Sequence, residues 1–120
     1  MWALCLSFKH RADPLCSELV LARDLNDRKS KLIEHGDVFV VLPGGLGTID
    51  EWISTLSTLV VEGSDRPIIV VNHGGMYSSL AEQLLNTAQS KFSRSPLIAS
   101  SILVNNSQEL IDKLNEINKL

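Results

Sequence analysis

The sequence lacks the features that mark several large protein classes. Its only cysteines are Cys5 and Cys16, with no Cys-x-x-Cys and no Cys/His ligand spacing. That scarcity argues against a disulfide framework and fits a reduced, cytoplasmic setting. No apolar run approaches the roughly 20 residues a bilayer-spanning helix needs, so no membrane association is expected. No charged segment followed by a long apolar run opens the chain, and a signal peptide is therefore not expected. Basic charge is not in excess either: 11 Lys and Arg stand against 14 Asp and Glu, a formal net charge of −3. Nucleic acid and anionic membrane are poor candidates for the main partner of such a surface. His10, His35 and His73 show no spacing suited to a metal, and none is expected. Internal repeats, low-complexity tracts and linkers are missing as well.

What remains is 120 residues, 44% hydrophobic and 21% charged, enough apolar material for one compact domain spanning 1–120. Val38-Phe39-Val40-Val41-Leu42 is a continuous β-branched and aromatic run, the pattern of a strand buried on both faces. Pro67 to Asn72 repeats it, and Ser101 to Val104 is a weaker third. Each run is followed by a helical stripe. Ile49, Trp52, Ile53, Leu56, Leu59 and Val60 make the first; Met76, Leu80, Leu84, Leu85, Ala88 and Phe92 the second; Leu110, Ile111, Leu114 and Ile117 the third. Asn106 and Glu109 are spaced as a capping box for the last. Earlier, Trp2 to Phe8 and Glu18 to Arg23 have strand character, Lys9 to Pro14 reads as a polar loop, and Asp24 to His35 as a helix stopped at Gly36. Alternation of strand and helix predicts an α/β fold, a parallel sheet with right-handed crossovers.

Chemistry concentrates where strand 38–42 runs into Pro43-Gly44-Gly45-Leu46-Gly47-Thr48. Glycines at a strand-to-helix junction let backbone N–H groups approach an anion, and the helix N-terminus adds unpaired donors and a positive dipole end. Thr48 is suited to be the N-cap or an added hydroxyl donor. In open parallel sheets ligands lie beyond the carboxyl ends of the strands, where this loop falls. The alternative is a tight turn that needs glycine only for positive φ. The pattern is neither a P-loop nor the dinucleotide GxGxxG. Asp50 and Glu51 are expected in the first helical turn, where a dipole role alone would account for them, or else facing the sugar of a nucleotide. Arg28 and Lys29 stand near the start of helix 24–35, against the dipole, with Asp24 and Asp27 able to offset them. A solvated basic turn is one reading; an arginine fork on a phosphate is the other. In Asn72-His73-Gly74-Gly75-Met76-Tyr77 the glycines suggest a turn, with Tyr77 free to pack.

Arg28-Lys29, followed by Asp37 to Leu42 and then Pro43-Gly-Gly-Leu-Gly-Thr48-Ile-Asp-Glu51, resembles the Lonely Guy family of cytokinin-activating phosphoribohydrolases, long labelled lysine decarboxylases. The family's PGGxGTxxE motif is matched at Pro43, Gly44, Gly45, Gly47, Thr48 and Glu51. Asn72, Gly75 and Tyr77 also resemble its loop after the next strand, and the likeness covers roughly residues 17 to 120. It implies a Rossmann-like parallel sheet with helices on both faces, in a homodimer or higher homo-oligomer with active sites near the subunit interface. It implies hydrolysis of the N-glycosidic bond of a nucleoside 5′-monophosphate, AMP or N6-modified AMP, to free base and ribose 5-phosphate. Glu51 and Arg28 match the family's catalytic pair. Gly44, Gly45, Gly47 and Thr48 would hold the 5′-phosphate, with Lys29, Pro43 and Asp50 as further substrate contacts. No cofactor is implied, and nothing resembles a pyridoxal-phosphate lysine site. The family's first strand and glycine-rich loop lie before the region where the chain begins, so the expectation is either a shortened relative with a pocket completed by a second subunit or a fragment of a longer gene. Leu46 stands where many relatives carry an aromatic. A non-catalytic nucleotide-binding or carrier module is the competing expectation.

Overall fold

The computed structural model describes residues 4–7, 18–90 and 101–119. They fall into two compact units, 1–37 and 38–120. The polar loop expected over 9–14 and the stripe residue Phe92 lie outside the described residues.

In the first unit, β1 (Leu4–Ser7) and β2 (Glu18–Leu21) pair in parallel, Leu4 opposite Glu18 and Ser7 opposite Leu21. Helix α1 (Leu25–His35) follows. Its start is set by two carboxylates three residues apart. Asp24 is the N-cap and accepts the Asp27 N–H at 2.8 Å, while Asp27 reaches back to accept the Arg23 N–H at 2.8 Å. One amide that the helix start leaves without a partner, and the amide of the residue before the cap, are thereby satisfied. Asp27 also pairs with the Arg23 and Lys31 side chains, and Lys31 Nζ donates to the Leu21 carbonyl at the end of β2, 2.6 Å away. Gly36 closes the helix through its N–H on the Leu32 carbonyl.

In the second unit β3 (Phe39–Val41), β4 (Ile68–Val71) and β5 (Ser101–Val104) form a parallel sheet in that order. The intervening helices are α2 (Leu46–Glu62), α3 (Ser78–Gln89) and, after β5, α4 (Ser107–Asn118). The α/β class expected from the alternating pattern is what the chain adopts. Register places Ile68, Val70 and Ser101 on one sheet face, and Ile69, Val71, Ile102 and Val104 on the other. Leu110, Leu114 and Ile117 of α4 pack on the second face. On the first, α2 contributes the buried Trp52, Leu56 and Leu59, and the Trp52 indole N–H donates to Ser101 Oγ at 3.4 Å. Helices therefore cover both faces, and β4, between two strands and two helices, is buried at every position.

Several expectations need correction. The run 38–42 was expected to be buried on both faces, yet Val40 is 40% exposed. Strand β3 is an edge of its sheet, and α4, which packs on the same face as Val40, makes its main contacts with β4 and β5. Along the second stripe, Met76 precedes α3 and is exposed, as is Leu85, and no α3 residue is fully buried. Helix α4 keeps its predicted cap: Asn106 Oδ1 accepts the Glu109 N–H at 2.9 Å. The reciprocal bond goes one residue further back than a capping box requires, to the Asn105 N–H at 2.7 Å. Helix α2 ends at Gly63, left-handed at φ 66°, where the Ser64 N–H reaches the Leu59 carbonyl in a Schellman arrangement.

The Arg23 backbone and side chain, followed by Lys31, lower the Asp27 carboxyl to about 2 from its ordinary 3.8. A folded-state value below the unfolded one stabilises the fold fully above about pH 4 and loses that contribution as pH falls toward 2. A carboxyl ¹³C titration of Asp27 should show a midpoint near 2; a midpoint at its ordinary value would contradict the pairing.

Candidate functional site

Strand β3 leaves its ladder at Val41, the last residue paired with β4. The Leu42 carbonyl just beyond it accepts the Tyr77 hydroxyl at 2.8 Å. Pro43 brings no N–H, and within three further residues the chain has entered α2. Gly45 is the N-cap, with φ −98° and ψ −152° and no side-chain cap. The helix therefore begins two residues before Thr48, which is its third residue and not the cap, the first of the two roles open to it. Leu46 is exposed at the helix start. The first N–H groups of any α-helix have no partner within it, and here they are presented by Gly45, Leu46, Gly47 and Thr48.

Glycine at this junction is not explained by left-handed backbone. The described residues with positive φ are Gly63, Gly74 and Gly75, so the conformational reading fits the 72–77 turn and fails for Pro43–Thr48. Gly44 is required by proximity: a Cβ there would overlap Thr48 Oγ1 and lie 3.0 Å from Thr48 Cβ. At Gly45 and Gly47 a Cβ would meet nothing within 4 Å. Glycine inside a helix costs about 0.5–1 kcal/mol relative to alanine, so Gly47 sacrifices stability where the protein itself leaves room. Among the described residues, both positions face open space.

Asp50 and Glu51 also move. Because α2 starts at Leu46, they lie in its second turn, where the dipole attraction has largely faded. Asp50 is exposed and accepts a long 3.4 Å hydrogen bond from Ser54 Oγ. Glu51 is half-buried, four residues after Gly47 and three after Thr48, on the same helix face one turn further along. Pro43, Gly44, Gly45, Gly47, Thr48, Asp50 and Glu51 are thus gathered on one loop and one helix start. Arg28 and Lys29 are the fourth and fifth residues of α1, both half-buried, and belong to the first unit. Asp27, expected to offset them, is engaged by Arg23 and Lys31.

Behind the loop stands a group whose role the sequence did not disclose. Tyr77, nearly inaccessible, packs edge-on against Trp52 with ring centres 5.5 Å apart at 70°. Asn72 Oδ1 accepts the Tyr77 N–H at 2.7 Å, Asn72 Nδ2 donates to Ser78 Oγ at 2.9 Å, and the Asn72 N–H binds the Val104 carbonyl. The available signal was an Asn and a Tyr on the turn after the next strand; the partner of that tyrosine could not be read from it.

A parallel α/β sheet flanked by helices, with a glycine-rich loop at a strand's carboxyl end leading into α2, defines a Rossmann-like domain. The sequence profile of the family described as "Possible lysine decarboxylase" matches residues 3–114. The chain belongs to this family, the Lonely Guy family to which its motif pointed, and the match reaches further toward the N-terminus than the expected start near residue 17. Among similar proteins is a probable cytokinin riboside 5′-monophosphate phosphoribohydrolase of Oryza sativa subsp. japonica, 30% identical over 82% of this chain and 43% of its own length. Two cytokinin riboside 5′-monophosphate phosphoribohydrolases of Arabidopsis thaliana are 32% and 31% identical, each over 82% of this chain and 46% of its own length. The chain thus spans less than half the length of these curated relatives.

Replacement by alanine should separate the glycines. Gly47→Ala is expected to raise unfolding stability by up to about 1 kcal/mol, whereas Gly44→Ala should lower it by about 1–3 kcal/mol through the forced displacement of Thr48. Urea denaturation of the two variants beside the parent checks both signs.

Proposed function

We propose that the chain hydrolyses the N-glycosidic bond of a nucleoside 5′-monophosphate, AMP or N6-modified AMP, with residues 1–120 working as one domain in a cytoplasmic homodimer or higher homo-oligomer. The observation that carries the reading is the cradle at the start of α2. Gly45 and Gly47 leave space that no atom of the described residues fills, and Glu51 follows one helical turn later. Amides of Gly44, Gly45, Gly47 and the Thr48 hydroxyl suit a 5′-phosphate. Pro43 and Asp50 flank the bound nucleotide. As the C1′–N bond breaks, its electron pair leaves with the base and positive charge builds on C1′ and the ring oxygen. A carboxylate at Glu51 stabilises that charge and orients a water. The water oxygen forms the new bond to C1′, and its proton ends on the departing base nitrogen. Arg28, with a planar fork suited to phosphate, and Lys29 supply positive charge to the nucleotide. Neither a metal nor a cofactor enters these steps. The names of the relatives support the substrate class.

A second reading, nucleotide binding without turnover, rests on the uncapped helix start of α2, whose amides can hold a phosphate without a carboxylate. Incubation with AMP, chromatographed for free adenine, separates the two. Parent chain should release adenine and Glu51→Gln should reduce release by at least about 100-fold, the scale of a lost general-base or electrostatic group, while still binding AMP. Adenine release unchanged in Glu51→Gln would overturn the catalytic assignment. AMP-dependent thermal stabilisation with no adenine would select the binding module instead. For the assembly, light scattering at micromolar concentration should return at least twice the chain mass of 13.2 kDa; a single-chain mass would refute it.

A further inference from the structure

We propose that Tyr77 is a positioning residue that sets the phosphate cradle by holding both of its ends, an inference that rests on the phosphate reading above. The loop and the helix start run from Pro43 to Glu51. The residue just before that segment is Leu42, whose carbonyl accepts the Tyr77 hydroxyl at 2.8 Å. The residue just after it is Trp52, whose ring meets the Tyr77 ring edge-on at 5.5 Å. One side chain therefore touches the chain on both sides of all seven loop and helix positions assigned to the nucleotide. A carbonyl past the end of a sheet ladder has lost its strand partner, and a hydroxyl that replaces it fixes where the strand stops. Tyr77 is itself held firmly. It is almost completely buried, its N–H is bound by Asn72, and Asn72 is tied to β5 through the Val104 carbonyl and to α3 through Ser78. The indole of Trp52 reaches Ser101 on β5. The cradle is thus referenced to β4 and β5, the interior of the sheet, rather than to the edge strand from which it emerges. Backbone amides that bind an anion depend on placement within a fraction of an ångström, so loosening this strut should be felt at the phosphate.

Tyr77→Phe removes the hydroxyl and keeps the ring against Trp52. Ribose 5-phosphate, which carries the phosphate without a scissile bond, is the probe. Titration calorimetry should show its affinity about 10-fold weaker in Tyr77→Phe, a loss of about 1.4 kcal/mol, and the Gly44, Gly45 and Gly47 amide resonances of the ligand-free protein should shift. A tyrosine that is only structural would lower the melting midpoint and leave both readouts as in the parent; that outcome overturns the inference. Should Tyr77→Phe not fold cooperatively, Asn72→Ala makes the same test by releasing the Tyr77 N–H with both rings in place. A parent chain that binds neither ribose 5-phosphate nor AMP defeats the phosphate reading at the first step and this inference with it. Binding by the parent that Tyr77→Phe fully retains defeats the inference alone.

Discussion

Burial of β4 on both faces and along both edges is the constraint from which the second unit is organised. Ile68, Ile69, Val70 and Val71 have their amides taken by β3 and β5 and their side chains by helices. A strand so enclosed cannot shift register without moving its whole apolar set to the wrong side. Its continuation, Asn72 to Tyr77, inherits that rigidity. Asn72 binds across to β5, and Gly74 and Gly75 adopt the positive φ values of 60° and 75° that let the chain fold back on itself. Tyr77 is delivered by this turn to the end of the neighbouring strand. The interior of the sheet thereby governs a loop that belongs to its edge.

The two glycine-rich turns of this unit use the same residue for opposite reasons. After β4, glycine is demanded by backbone conformation, as the positive φ angles show. After β3 the angles are ordinary, and glycine is demanded by what must come close: Thr48 at Gly44, and open space at Gly45 and Gly47. A site that leaves its helix start bare forgoes a side-chain cap, which contributes about 1 kcal/mol at an ordinary N-terminus. Helices α1 and α4 show the contrast. In each, an Asx cap and an acid three residues on satisfy two amides, Asp24 with Asp27 and Asn106 with Glu109. The N-cap of α2 is Gly45, which makes no side-chain cap bond, at the helix that begins where the family motif lies.

How much of this could be read beforehand follows from the range of each signal. Alternation of β-branched runs with 3.6-residue stripes is local, and it delivered the three strands of the parallel sheet, the three helices that follow them, and the Asn106 cap. The motif 43–51 is contiguous, so family membership and the composition of the loop were legible too. Of the two roles open to Thr48, cap or added hydroxyl donor, the cap falls to Gly45: propensity favours threonine there, whereas the chain turns helical as soon as Pro43 and Gly44 allow, a boundary that propensity does not register. Asp50 and Glu51 consequently moved from the first turn to the second. The error at Val40 has another origin. A run of apolar residues signals burial, but whether both faces are covered depends on which strand becomes the sheet edge and how far α4 reaches.

What the sequence determined by itself is therefore the inventory: parallel α/β class, the glycine loop with its acids, the basic pair on α1, and the family. Each depends on spacing within one segment, where covalent geometry makes sequence distance equal to spatial distance. Only tertiary structure decided that Tyr77, 35 residues from Leu42, closes the strand end, and that Trp52 reaches across to Ser101. Only it decided which glycines serve the backbone and which keep a place open. Those outcomes depend on packing between segments distant in sequence, and no local periodicity carries that information.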